Sequence, residues 1–279
     1  MKAVRGKALA VGLSLFVFAP GSSFAAGAAP VRKSVTIFAA SSLTRVFEAM
    51  KAPFEAAHPE LALRFSFGSS SLLRSEIEHG AAADAIAVAD PAELAPLVRS
   101  KTLVDPRDFA EGRLVAAVSS GGGRRIHSLL DLAAPGAVLV AASPNVPLGR
   151  YTRETLGLLS RMEGFPPDFQ ALFERNVVSL EIDARAVLSK VELGEADAAF
   201  VYESDAAGST RVTAIALPAG SAVVARYAMG RIAQSNVSAG ARSFVDFVLS
   251  DDGAAILKRF GFRPVPGERR GAPPLAPVR

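Results

Sequence analysis

Apolar and polar positions change their period repeatedly along this chain. Short strand-like segments such as Val35–Ala39 and Ala198–Tyr202 alternate with segments such as Leu43–Phe54, where apolar residues recur every three to four positions. Further predicted strands are Leu61–Phe67, Ala85–Ala89, Leu114–Val118, Ala137–Ala141, Val212–Leu217 and Val223–Met229. This alternation predicts an α/β architecture with largely parallel sheets.

Two of these strands lead directly into serine clusters that open helices. Ser41 and Ser42 follow the first strand, and Ser69, Ser70 and Ser71 follow the second. A helix N-terminus offers unpaired N–H groups and the positive end of a dipole, to which serines add hydroxyl donors. Two such ends facing one point would hold an anion without a lysine or arginine.

Helix capping is the alternative interpretation of Ser42 and Ser70, because serine is common at N-caps. Both clusters, however, carry surplus hydroxyls. Both also lie at the carboxyl ends of strands, where open α/β folds bind their ligands. These two observations favour a ligand site.

The sequence supplies little enzyme chemistry. It has no G-x-S-x-G elbow, no H-E-x-x-H and no cysteine that could join a histidine in a metal site. The three histidines, His58, His79 and His127, are expected to be solvated. Helix capping explains the acidic residues near strand ends, which are Asp84, Asp90, Asp197 and Asp205. We therefore expect a chain that is not an enzyme, has no cofactor and holds no metal cation through its side chains.

The N-terminus has the pattern of a secretory signal peptide over residues 1–28. Lys2, Arg5 and Lys7 precede an apolar run from Ala8 to Ala19, and small residues follow. The run is too short to span a bilayer comfortably, and a chain without cysteine has no lipid anchor or disulfide. Removing this segment lowers the formal net charge from +4 to +1, which argues against nucleic acid as a partner. A soluble periplasmic protein is expected.

Six segments in fixed order resemble the periplasmic molybdate-binding proteins, the capture components of molybdate ABC transporters. The segments are Phe38–Leu43, Phe67–Leu72, Gly80–Ala85, Val146–Tyr151, Val201–Ala206 and Lys258–Phe262. The resemblance covers about residues 34–263. It implies that the ligand is molybdate or tungstate and that the partner is a membrane ABC permease.

The resemblance also implies which residues contact the anion. The hydroxyls of Ser42, Ser70 and Tyr202 and the backbone N–H groups of Leu148 and Ala184 would surround a tetrahedral dianion. This chain has leucine at 148 where the family usually has alanine, and alanine at 184 where it often has valine. A backbone donor survives either change.

The fold implied by the resemblance is the two-lobed periplasmic-binding-protein type II fold. Each lobe is a mixed sheet flanked by helices, and the ligand lies in the cleft between the lobes. We expect lobe I at residues 30–116 plus 228–265 and lobe II at 117–227, in a monomer. Residues 266–279 are proline-rich and expected to form a flexible tail.

Alternative functions remain at this stage. The same fold could bind another oxyanion, such as sulfate or phosphate, or an organic anion. A secreted hydrolase that uses one of the serines is a more remote alternative. Fixed donors disfavour protonated phosphate, whereas sulfate has the charge and shape of molybdate, so only cavity size could reject it.

Overall fold

The computed structural model describes residues 32–121, 126–221 and 223–265. The expected signal peptide (1–28) and the expected tail (266–279) lie outside the described residues. No helix in the described part of the chain is both long enough and apolar enough to span a membrane.

Strands and helices alternate as the sequence pattern predicts. The strands are β1 (Lys33–Ala40), β2 (Leu61–Gly68), β3 (Ala85–Val88), β4 (Leu103–Ser119), β5 (Leu139–Ala142), β6 (Val177–Glu181), β7 (Ala198–Tyr202), β8 (Val212–Ala216), β9 (Val224–Ile232) and β10 (Arg263–Pro264). The helices are α1 (Thr44–Ala57), α2 (Ser70–Glu78), α3 (Ala95–Arg99), α4 (Pro147–Leu159), α5 (Phe169–Arg175), α6 (Ala184–Glu192), α7 (Glu203–Ala206), α8 (Ser238–Val248) and α9 (Asp251–Arg259). Short 3-10 turns occupy Ser41–Leu43, Pro91–Leu94 and Leu129–Ala133.

Strand β4 is much longer than its predicted segment, Leu114–Val118. Its first half contains Pro106 and Gly112, and its pairing with β9 slips between Val104 and Arg107 and again between Asp108 and Ala110. These irregularities interrupt the alternation from which strands are predicted. Strand β6 and helix α5 were not predicted either.

Hydrogen bonds join the strands into two sets that share β4. In the first set, β1 pairs in parallel with β2 and β3, and β9 pairs antiparallel with β3 and with the first half of β4. In the second set, β5 pairs in parallel with β6 and β7, and β7 and β8 pair antiparallel with the second half of β4. The expectation of largely parallel sheets is therefore wrong. The sheet is mixed because β4, which passes from the first set into the second, and β9, where the chain returns to the first set, both pair antiparallel with their neighbours.

The core is apolar and consists of a large cluster with residues of both strand sets and a smaller cluster within the first set. An aromatic cluster fills the first set, with the edge of Phe244 against Phe47 and Phe54 at ring distances of 5.4 and 5.5 Å. Its members Phe47, Phe54 and Phe244 are fully buried. This packing fixes α1 and α8 on the sheet and so holds the carboxyl ends of β1 and β2 in place.

Candidate functional site

A small cavity lies where the carboxyl ends of strands from both sets meet helix N-termini. Its lining residues are Ala40, Ser41, Ser42, Gly68, Ser69, Ser70, Ala89, Val146, Pro147, Leu148, Asp183, Ala184 and Tyr202. The volume open to the centre of a water-sized sphere is about 20 Å³. On the same measure, a cavity needs roughly 10–15 Å³ to hold one water. The space therefore suits a compact inorganic ion rather than an organic molecule.

Four helical N-termini border this cavity. The 3-10 turn at Ser41–Leu43 follows β1, and α2 follows β2; both belong to the first strand set. From the second set, α4 follows β5 and α6 follows β6. Helix N-termini direct N–H groups and positive dipole ends outward, so their convergence favours a negative charge.

Ser42 and Ser70, the serines of the first strand set, are buried, and each hydroxyl already accepts one hydrogen bond from the protein. Ser42 is 5% exposed, and its Oγ accepts a hydrogen bond from the Tyr227 hydroxyl at 3.3 Å. Ser70 is 1% exposed, and its Oγ accepts from the Ala89 N–H at 3.1 Å. A hydroxyl that accepts in this way keeps its own proton available for a ligand.

Neither of these serines caps a helix. The N-cap of α2 is Ser69, whose Oγ accepts from the Leu72 N–H at 3.2 Å. The 3-10 turn that contains Ser42 has Ala40 at its N-cap and no side-chain cap. The capping interpretation of Ser42 and Ser70 therefore fails.

The second strand set contributes backbone N–H groups. Leu148 and Ala184 lie in the first turns of α4 and α6, where N–H groups have no partner within the helix. Pro147 begins α4 with a fixed φ angle, and Asp183 caps α6 by accepting from the Ala186 N–H at 2.9 Å.

Gly149 is required for this arrangement. A Cβ atom at position 149 would lie 1.9 Å from the carbonyl oxygen of Ser143, so only glycine lets the start of α4 pack this closely on the preceding loop. The close approach sets the position of the Leu148 N–H at the cavity.

Tyr202 ends β7 with a buried hydroxyl that has no hydrogen-bond partner among the described residues. The side chain is 1% exposed and lines the cavity. Burial holds the pKa of this hydroxyl well above its ordinary value, so it remains protonated at neutral pH. A buried donor without a partner is costly, and a ligand oxygen would satisfy it.

The cavity has no lysine, arginine or histidine in its lining, where Asp183 is the one acidic residue. A second carboxyl group is buried in α7, just after the end of β7. That group is Asp205, whose Oδ2 has no hydrogen-bond partner in the described part of the chain. Burial raises the pKa of the Asp205 carboxyl to about 7; the charges of Arg185 and Arg45 oppose the shift, and that of Asp183 adds to it. Helix capping, the role that the sequence predicts for Asp205, does not explain why its carboxyl group is buried.

An ion-pair bridge joins the two strand sets beside the cavity. Arg150 on α4 contacts Asp90 Oδ2 at 2.8 Å and Glu93 Oε1 at 2.7 Å, both after β3. Arg74 on α2 holds the other oxygen of Glu93 at 3.0 Å. Next to it, the Tyr151 hydroxyl donates to the Ala89 carbonyl oxygen at 3.1 Å. We call the contacts among Arg150, Asp90 and Glu93 the Arg150 bridge.

The structure brings all five residues expected from the sequence to this one cavity: Ser42, Ser70, Leu148, Ala184 and Tyr202. Their contact with an anion remains a prediction. Sequence reasoning missed Tyr227, because nothing in the pattern of β9 links it to Ser42 across 185 residues.

Among the described residues, no histidine or metal-binding cluster accompanies the cavity. None of the three histidines lines it, and the described residues contain no group of three or more His, Asp or Glu side chains placed to hold a metal ion. The hydroxyls of Ser42 and Ser70 have hydrogen-bond donors beside them rather than a general base.

Comparison with known proteins places this site in context. Residues 35–263 match the family described as bacterial extracellular solute-binding protein. The molybdate-binding protein ModA of Mycobacterium tuberculosis is 35% identical over 245 residues, which is 87% of this chain and 89% of that protein.

Solved structures share the fold. The periplasmic molybdate-binding protein of Azotobacter vinelandii has a TM-score of 0.70 at 20% identity, covering 82% of this chain and 98% of that one. The sulfate-binding protein SubI of M. tuberculosis has a TM-score of 0.72 at 19% identity, covering 84% and 88%. At these identities the likeness concerns the fold, which is that of periplasmic binding proteins.

Proposed function

The chain belongs to the bacterial extracellular solute-binding protein family, and on that premise we propose that it captures molybdate, and tungstate with it, for delivery to a membrane ABC permease. The observation that carries this proposal is the set of hydroxyl and N–H donors around one small cavity with no cation in its lining. The name of the mycobacterial relative, a molybdate-binding protein, supports the choice of ligand.

The donor set suits a doubly charged anion that carries no proton. Fixed dipoles stabilise such an ion through charge-assisted hydrogen bonds, so no lysine or arginine is needed. A protonated oxyanion would bring a hydrogen against a donor. The small volume disfavours organic anions. Tungstate has nearly the size of molybdate and should bind almost equally.

Sulfate is the second candidate, because a sulfate-binding protein shares the fold and sulfate has the same charge and shape as molybdate. The cavity can distinguish the two by size alone. Molybdate remains the first choice because the 35% identical relative, unlike the sulfate-binding protein at 19%, is close enough to share a ligand.

A thermal-shift panel with molybdate, tungstate, sulfate, phosphate and a model ester tests the proposal. A ligand that binds only the folded state raises the melting temperature by mass action. Molybdate and tungstate should raise it strongly at micromolar concentration, and sulfate only at much higher concentration. A larger shift with sulfate would overturn the choice of ligand, and turnover of the ester would favour a hydrolase.

We further propose that the chain closes around the anion as two lobes, at residues 30–116 plus 228–265 and at 117–227, with the boundaries inside β4 and β9. The Arg150 bridge would stabilise the closed form. Small-angle X-ray scattering should show a smaller radius of gyration with molybdate than without it. An unchanged radius would argue against closure on binding.

The proposed location is the periplasm, reached by cleavage of the N-terminal segment and without a lipid anchor. The mature protein would act as a monomer and not as an enzyme. N-terminal sequencing of protein from the periplasmic fraction should find a start between Ala25 and Ala29. Intact Met1 on membrane-bound protein would contradict this location.

A further inference from the structure

The hydrogen bond between Tyr227 and Ser42 has a direction that bears on the ligand. Tyr227 is fully buried, and the Ser42 Oγ is the acceptor that its hydroxyl reaches, at 3.3 Å. A buried O–H that has one acceptor in reach donates to it. Ser42 therefore accepts from a residue that does not itself line the cavity.

The consequence for Ser42 follows from the chemistry of a hydroxyl, which has one proton to donate and two lone pairs that accept. With Tyr227 donating to one lone pair, the proton of Ser42 is free to point into the cavity. Ser70 is held in the same way, by the Ala89 N–H at 3.1 Å. Each serine hydroxyl therefore keeps a proton that it can donate to a ligand.

The ring of Tyr227 is fixed in this position by its surroundings. It packs edge-on against Phe262 at 5.1 Å and against Tyr202 at 5.7 Å. On β4, a Cβ atom at Gly112 would lie 3.1 Å from Tyr227 Cε2, so a larger residue there would press on the ring. Tyr227 does not line the cavity itself.

We propose that Tyr227 is a positioning residue that fixes the Ser42 hydroxyl as a donor and thereby sets the preference of the cavity for unprotonated over protonated oxyanions. This inference rests on the proposed function, and it adds a residue that acts on selectivity without touching the ligand. With Tyr227 in place, one of the two lone pairs of Ser42 is occupied. Without it, both are open, and the hydroxyl can turn either of them toward the proton of hydrogen phosphate.

The test is the ratio of two dissociation constants, for hydrogen phosphate and for molybdate, in wild type and Tyr227→Phe. Competition calorimetry at a pH of about 8, where hydrogen phosphate is the main phosphate species, measures both, with a melting curve to verify folding. Molybdate binding should weaken by about three- to tenfold, as for one lost hydrogen bond. Hydrogen phosphate should bind as well as before or better, so the ratio of its dissociation constant to that of molybdate should fall by at least about threefold.

Tyr151→Phe is the matched control. It also removes one tyrosine hydroxyl beside the site, but that hydroxyl donates to the Ala89 carbonyl oxygen instead of a serine. It should change both constants by the same factor and leave their ratio unchanged. An unchanged ratio in Tyr227→Phe as well would overturn the positioning role.

A double mutant shows whether Tyr227 acts through Ser42. In a Ser42→Ala background, Tyr227→Phe should have no further effect on molybdate affinity. A full additional loss would also overturn the inference. Wild-type protein that fails to bind molybdate would instead reject the proposed function, so the two failures are distinguishable.

Discussion

The buried hydroxyl of Tyr202 gives the sharpest prediction, because its loss should affect stability and binding differently. Tyr202→Phe keeps a ring that is 1% exposed and packs 5.7 Å from Tyr227. The oxygen that it removes has no hydrogen-bond partner among the described residues. The substitution therefore breaks no protein contact of the hydroxyl.

The expected magnitudes follow from this geometry. The free energy of unfolding of the ligand-free protein should change by less than about 1 kcal/mol or should rise, because a buried polar atom is removed. A hydrogen bond to a charged ligand contributes about 1.5–3 kcal/mol, so the dissociation constant for molybdate should rise by about tenfold to over a hundredfold. Tungstate should lose a similar factor, and sulfate should remain a poor ligand of both proteins.

Calorimetric titration and urea unfolding measure the two quantities on the same samples. Ser204→Ala is the matched control, because Ser204 also has a buried oxygen without a partner but does not line the cavity. Its affinity should equal that of wild type. A Tyr202→Phe protein with unaltered affinity for molybdate would remove Tyr202 from the site.

Three further predictions concern the serines, the bridge and the buried carboxyl. Ser70→Ala should weaken molybdate binding at least tenfold in a calorimetric titration. Its control is Ser250→Ala, which removes the N-cap of α9 away from the cavity. That variant should lower the free energy of unfolding by about 1 kcal/mol, measured from melting curves, and leave the affinity unchanged. Arg150→Met removes the cation of Asp90 and one of the two cations of Glu93, which keeps Arg74, and should lower the free energy of unfolding by about 1–3 kcal/mol in urea. Lys190→Met, which breaks an exposed pair, should have a clearly smaller effect. The pKa of Asp205 is raised to about 7 in the folded state, so its contribution to the free energy of unfolding should be lost as the pH rises from about 4 to about 7. Urea unfolding at a series of pH values should show that this free energy declines less with pH in Asp205→Asn than in wild type. Identical pH profiles of the two proteins would contradict the raised pKa.

Much of the fold could be predicted from the sequence where pattern and burial coincide. The buried strands β3 and β7 are continuous apolar runs between turn signals, and α6 has a clear cap at Asp183. The course of β4 could not be predicted, because its bulges break the alternation and its pairing partners lie far away in sequence. Mixed strand direction is likewise a property of long-range pairing; the family resemblance predicted it correctly, whereas the local pattern alone predicted largely parallel sheets.

The residues of the candidate site likewise divide into those that a local sequence signal marks and those that it does not. Ser42 and Ser70 were identified because local signals mark strand ends that open helices. The cap at Ser69 instead of Ser70 depends on backbone geometry that differs by one residue, which propensity does not resolve. Tyr227 and Asp205 depend on contacts made only in the folded chain, and no local pattern distinguishes them from ordinary buried residues.

Crystals of the mature protein grown with molybdate and measured at the molybdenum absorption edge would show directly whether the cavity binds the anion. We expect a single strong anomalous peak in the cavity, within hydrogen-bond distance of the Ser42, Ser70 and Tyr202 hydroxyls and of the Leu148 and Ala184 N–H groups. A peak bound elsewhere, or no peak in the cavity at saturating molybdate, would contradict it.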